Sequence, residues 1–268
     1  MEISTGLILS MAFAALVSIG GPIAYMVYCK KVLKASLVPV VAGITVYMVA
    51  VIGFQSFLHQ FFIYGSNAAS DFINSNKWIY VLYLGLSTAV FEQVGRWLAF
   101  KFMLKKYTPD DTALTYGIGH GAVQTVMPVG IGLAISSVML YSVKSTGYDE
   151  YLAMIGEDQA ATLNEMLMSY TSIGAHYYIW TALEMLMVLV VQVGLSVLVF
   201  KSVRRANSTY LLFVATVLHL IFTCVGALSV AGIVTNTVVV EVGCLIVALV
   251  IAFFAFREYS KDKRNTTY

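Results

Sequence analysis

Apolar residues run along this chain in seven long stretches, 4–28, 35–63, 78–104, 112–141, 171–200, 208–229 and 232–256, separated by short polar segments. Each reaches the length of about 20 residues that an α-helix needs to cross bilayer hydrocarbon. Backbone groups inside lipid must be satisfied within the segment that carries them, so each stretch is predicted to be helical. The expected fold is all-α: a polytopic bundle of seven transmembrane helices forming a single domain over 1–268. The first stretch follows Glu2 with no preceding Lys or Arg and is longer than a signal-peptide core, so it is read as a retained span. Pro22, Pro39 and Pro128 lie within or near spans, where kinks are expected.

Composition sharpens this picture. Hydrophobic residues make up 59% of the chain and charged residues 11%. A soluble domain carries about 25% charged residues, so an ordinary soluble globule, a disordered chain and a nucleic-acid binder are all excluded. Membrane lipid is the implied surrounding. The three cysteines, Cys29, Cys224 and Cys244, sit in or beside apolar runs and suggest neither a disulfide framework nor a Cys-based metal site. Basic residues fix an orientation. Thirteen of the 16 follow spans 1, 3, 5 and 7, whereas Lys77 and Lys144 lie on the other side and Arg96 is intramembrane. The N-terminus is therefore expected outside, with 29–34, 105–111, 201–207 and 257–268 in the cytosol. The outer segment between spans 4 and 5 is acidic and long enough for a short surface helix.

Ionisable residues inside a span cost several kcal/mol unless paired or solvated, and they are functional candidates for that reason. Span 3 carries Glu92, Gln93 and Arg96, span 4 His120 and Gln124, span 5 Glu184 and Gln192, span 6 His219 and span 7 Glu241. Counted from the cytosolic anchors at a helical rise of 1.5 Å per residue, Glu92, His120 and Gln192 each lie roughly 13 Å deep and His219 roughly 16 Å. Four helices thus present polar groups at one level, as in a shared polar chamber. Glu92 and Arg96, spaced i,i+4, also suit a self-neutralising pair that eases insertion. Gly117 and Gly121 flank His120 and leave a flat seam for another helix. Glu241 reads as structural or interfacial, and His59 and His176, near outer span ends, as interfacial.

A buried glutamate with histidines can activate water, the carboxylate acting as general base and the imidazoles stabilising the oxyanion or binding a metal. Here Glu92 would be the base, His120 and His219 its partners, and Arg96 the group that orients Glu92. The cofactor expectation is none or zinc, for which Glu92, His120 and His219 would be the ligands. No H-E-x-x-H run is present.

The segment Phe91-Glu92-Gln93-Val94-Gly95-Arg96 resembles the Glu-Glu-x-x-Arg motif of the YhfC family of intramembrane proteases. That family is related to the CAAX-protease/bacteriocin-processing, PrsW and APH-1 families. Residues 117–126 are similar to its G-x-G-H-G-x-x-E segment, 184–200 to its E-R-x-x-A-x-x-x-H-x-x-L-S-V-L-V stretch, and 219–223 to a terminal H-x-x-x-D. The four resemblances fall in order across spans 3 to 6. They imply a peptidase, glutamic-type or metal-assisted, that acts on a membrane-associated peptide or protein in the bacterial cytoplasmic membrane. Five positions depart from the pattern: Gln93 and Gln124 replace glutamates, Met185 an arginine, Gln192 a histidine and Thr223 an aspartate. Catalysis is thus expected of Glu92, His120, His219 and Arg96, with Gln93, Gln124, Glu184 and Gln192 in support. The alternatives are a catalytically degenerate scaffold or substrate-binding member of the same fold, and an unrelated small transporter. The absence of an internal repeat argues against the transporter.

Overall fold

The structure, a computed structural model, describes residues 3–265, with side chains described over 3–261. Glu2, residues 266–268 and the side chains of Lys263 and Arg264 fall outside the described residues, so the expected cytosolic tail is followed only to 265. The described residues are mainly helical, with no strand among them. The long helices are α1 (Thr5–Lys31), α5 (Lys77–Leu98), α10 (Ala175–Arg204), α11 (Tyr210–Val230) and α12 (Thr237–Asn265). A further continuous run joins α2 (Val38–Tyr47) to α3 (Ser56–Phe62) through a π-helical segment, Met48–Gln55. Another joins α6 (Asp111–Thr125) to α7 (Gly132–Thr146) through a second, Val126–Ile131. A third π-helical turn, Ala99–Met103, extends α5. Short helices α4 (Ala68–Ser75), α8 (Tyr148–Ile155) and α9 (Ala160–Ser172) fill two of the connections.

Six runs are long and apolar enough to cross a membrane: Thr5–Lys31, Val38–Phe62, Asp111–Thr146, Ala175–Arg204, Tyr210–Val230 and Thr237–Lys261. The remaining long helix, α5, carries Lys77, Glu92, Gln93 and Arg96 and is not among these six. Two expectations change in detail. Pro39 lies in the first turn of α2, where its missing N–H costs nothing, and so starts a helix instead of kinking one. The acidic segment expected to hold one short helix holds two, α8 and α9.

The chain divides into two compact units. One takes the chain up to Gly21 together with Gln124–Leu186. Its core joins Leu7, Met11 and Ala14 of α1 to Leu140 and Val143 of α7, Leu163 and Leu167 of α9, and Tyr178 of α10. Lys144 closes one end by donating to the Ile3 carbonyl (2.7 Å) and Thr5 Oγ1 (3.0 Å).

The other unit takes Pro22–Val123 and the chain from Met187 onward. Its core is built on Phe100, Tyr116, Leu195, Leu198, Phe200, Ala215 and Ile251. Helix α6 is clamped in it. A Cβ at Gly117 would stand 2.6 Å from Val193 Cα of α10, and one at Gly119 only 2.1 Å from the Val40 carbonyl oxygen of α2. The run Gly117-Ile118-Gly119-His120 thereby brings two helix backbones against α6 on either side of His120. At the end of this unit, Lys201 pairs with Asp110 (2.6 Å). Arg204 donates to the Phe100 (3.1 Å) and Leu104 (2.6 Å) carbonyls, satisfying oxygens left over at the end of α5 and its π turn. Arg205 and Lys261 both pair with Glu258. The described residues contain no disulfide.

Candidate functional site

Helices α5, α6, α10 and α11 place seven polar side chains in one cluster within the second unit. Its centre is Glu92 Oε2. Arg96 Nη2 lies 3.0 Å from it, one helical turn along α5. His120 Nε2 from α6 is also 3.0 Å away, and Gln192 Nε2 from α10 donates over 3.1 Å. His219 Nε2 from α11 stands at 3.8 Å. Arg96 Nη2 also donates to Gln192 Oε1, and Arg96 Nε donates to Ser196 Oγ (3.3 Å). Ser196 in turn donates to the Gln192 carbonyl oxygen (2.7 Å). On the far side of His219, Gln93 Nε2 donates to Nδ1 at 2.9 Å.

Burial is nearly complete: relative exposure is 0% for Arg96 and His120, 1% for Glu92 and Gln192, and 2% for His219. An unpaired buried charge would be very costly, and the Glu92–Arg96 pair answers it with hydrogen bonds between charged partners. The bond from Gln93 to His219 Nδ1 leaves the His219 proton on Nε2, facing Glu92. His120 likewise turns a ring N–H to the carboxylate. Its ring is held edge-on by Tyr47 of α2 (centroids 5.0 Å apart) and stacked by Tyr116 (5.8 Å).

Among the described residues, four buried polar atoms in this region have no hydrogen-bond partner: Gln93 Oε1, Arg96 Nη1, Tyr116 OH and His120 Nδ1. Buried polar groups are satisfied in the great majority of cases, by protein or by ordered water. Four such groups around one carboxylate mark a place suited to a polar guest.

Glu92, Gln93, Arg96, His120, Gln192 and His219 are thus brought together. Gln124 and Glu184 belong to the residues of the first unit and are half-buried. Three contributors escaped the sequence reading. Ser196 lies one turn from Gln192, and Tyr116 one turn from His120, so i,i+4 spacing from the recognised residues would have found both. Tyr47 has no such signal, because α2 carries no ionisable group.

Residues 13–244 match the family described as "YhfC intramembrane metalloprotease". The chain belongs to this family. It is also 27% identical over 239 residues to a protein of Bacillus subtilis (strain 168) described as "Uncharacterized membrane protein YhfC", covering 88% of each chain. No solved structure matches the chain. The matched range takes in every helix that contributes to the Glu92 cluster. Family membership, together with six apolar helices, makes the chain an integral, multi-pass membrane protein.

Proposed function

We propose that the protein is an intramembrane peptidase in which Glu92 activates the attacking water. The observation that carries this reading is a deeply buried carboxylate met by two imidazoles and one guanidinium, on three helices of a chain whose family is described as proteolytic. The water oxygen adds to the scissile carbonyl carbon and its proton passes to Glu92. The ring N–H groups of His120 and His219 donate to the developing oxyanion. As the C–N bond breaks, Glu92 returns the proton to the leaving amine. Arg96 holds the carboxylate in place, and Gln192 and Ser196 hold Arg96. The substrate class is a membrane-associated peptide or protein. In this reading α5 is a seventh span despite its polar side chains, with the N-terminus outside and the C-terminus in the cytosol of a bacterial cell.

The family description names a metalloprotease, and the donor set can be tested against zinc. Zinc takes lone pairs from neutral imidazole and carboxylate at roughly 2.0–2.2 Å. Here Glu92 Oε2 already accepts from Arg96, His120 and Gln192, and the imidazole nitrogens nearest it present N–H groups. Among the described residues, no three His, Cys, Asp or Glu side chains are arranged to hold a metal ion. This arrangement does not fit zinc, and no step above runs through one.

Gln192 favours a second reading. By bonding to both Glu92 and Arg96 it closes the cluster on itself, as in a scaffold or substrate-binding member of the family that no longer cleaves. Glu92→Gln separates the two readings. Losing a general base lowers rate about 10²–10⁴-fold. Membrane fractions from cells carrying wild type or the variant at matched protein level are compared by mapping new peptide N-termini. Peptidase action gives termini present with wild type and lost with Glu92→Gln. Identical termini in both would leave the scaffold reading in its place.

A further inference from the structure

Glu92 lies out of reach of bulk water, and hydrolysis consumes one water per bond. On one side of the cluster the way is shut by aromatic rings. Phe100 packs against Tyr116 (centroids 4.6 Å) and Phe200 (5.3 Å), with Leu104 buried beyond them. On the other side a line of polar groups leads away along α5. Thr88 is one turn from Glu92, about 6 Å along the helix. Gln55 Nε2 donates to Thr88 Oγ1 (2.9 Å) and lies 3.1 Å from His59 Nε2. His59 Nδ1 is 3.0 Å from Tyr83 OH. Gln55 is 4% exposed, and its Oε1 has no hydrogen-bond partner. His59, Tyr83 and Thr88 are half-buried and Gln55 is buried between them, so the line joins partly exposed groups to the fully buried Glu92.

The same helix shows that this is no random scatter of polar residues. Leu82, Leu86, Val90, Val94 and Leu98 form its exposed apolar stripe, at spacings of four. Thr88 and Glu92 lie off that stripe, on the inner side. Gln55 closes the π-helical segment Met48–Gln55, and π turns recur at functional sites because they re-aim a side chain that a regular helix would place elsewhere.

We propose that Tyr83, His59, Gln55 and Thr88 form the route by which water reaches Glu92, entering from the membrane face where α3 ends and α5 begins. In the orientation given above this is the outer face. The route rests on the hydrolytic reading for its purpose, but not for its test. Hydroxyl-radical footprinting by X-ray radiolysis generates the label from water in place, and protein in lipid nanodiscs needs no substrate. The expected wild-type result is modification of Tyr83 and His59 and also of His120, although His120 is fully buried. Thr88→Val, nearly isosteric, should lower labelling of His120 at least several-fold and leave Tyr83 and His59 labelled. Gln55→Leu should do the same, and melting curves confirm that both variants fold. An unlabelled His120 in wild type overturns the route, as does equal labelling of His120 in all three proteins. A protein labelled as expected that cleaves nothing would overturn only the peptidase reading. One that cleaves while His120 labelling ignores Thr88 would overturn only the route.

Discussion

Gln192 decides how the cluster is read. Its amide donates to Glu92 and accepts from Arg96, so it does with one neutral side chain what a histidine could do on one side only. The resembling motif has histidine at this place. An imidazole there would bring a third ring to the Glu92 carboxylate and withdraw the acceptor that ties down Arg96. Gln192→His is therefore expected to bind zinc where wild type is expected not to, read as a melting temperature that rises with added zinc in the variant alone. Saturating a site at 100 times its Kd stabilises by about 2.7 kcal/mol, a shift easily measured. The ionisable members of the cluster were legible in the sequence because lipid makes every Glu, Arg or His in an apolar run conspicuous. Ser196, Tyr116 and Tyr47 were not, since hydroxyl-bearing side chains are unremarkable in a span. Gln55 was passed over, and His59 read only as an interfacial histidine, for a related reason: their meaning lies in what faces them from α5, and spacing within one helix carries no trace of that.

Helix α6 owes its place to what its glycines lack. Gly119 meets the α2 backbone and Gly117 the α10 backbone at distances no side chain could survive. Gly119→Val would force α2 and α6 apart and pull His120 from Glu92. Overpacking of this kind costs typically 1–3 kcal/mol, and contact with backbone puts this position at the upper end. Gly132 gives the control, since a Cβ there meets nothing within 4 Å. In a helix, Gly132→Ala should be neutral or stabilising by up to about 1 kcal/mol. Thermal melts of the two variants should move in opposite directions or leave Gly132→Ala unchanged. A loss at Gly132 equal to that at Gly119 would contradict the packing argument. The seam around His120 was readable, because Gly117 and Gly121 stand a turn apart. Its second side, through Gly119 to α2, was not, because a glycine on the opposite face signals nothing without its neighbour. The π-helical segments were equally hidden. Spans apolar on all sides have no periodic stripe from which a shift of phase could be noticed.

At the scale of the molecule, the number of spans turns on α5. Six helices are long and apolar enough to cross a membrane, and α5, which carries the site's polar side chains, is not among them. Thirteen basic residues against two set the expected orientation. Several of the thirteen also hold the fold together, as Lys201 does with Asp110 and Arg204 with the Phe100 and Leu104 carbonyls. Reporter fusions test the arrangement: one placed within 147–165 should read as external and one after residue 205 as cytosolic. With six spans and the N-terminus outside, both readings reverse. The general outline, helical and multi-pass, follows from apolar length alone and was legible throughout. The division into two units was not, because the three runs Thr5–Lys31, Asp111–Thr146 and Ala175–Arg204 each contribute residues to both. The π-helical segments bear on how the family's sequences diverge. A π turn holds one residue more than an α turn, so a single inserted residue can be absorbed as a widened turn without rotating the helix beyond it by about 100°. Gaps between relatives should then fall not only in loops but inside spans, at 48–55, 99–103 and 126–131. Removal of one residue from 48–55 should therefore let the segment close to a regular α-helix and keep His59 beside Tyr83, whereas the same deletion within the regular turns of α3 before His59 would swing the ring away.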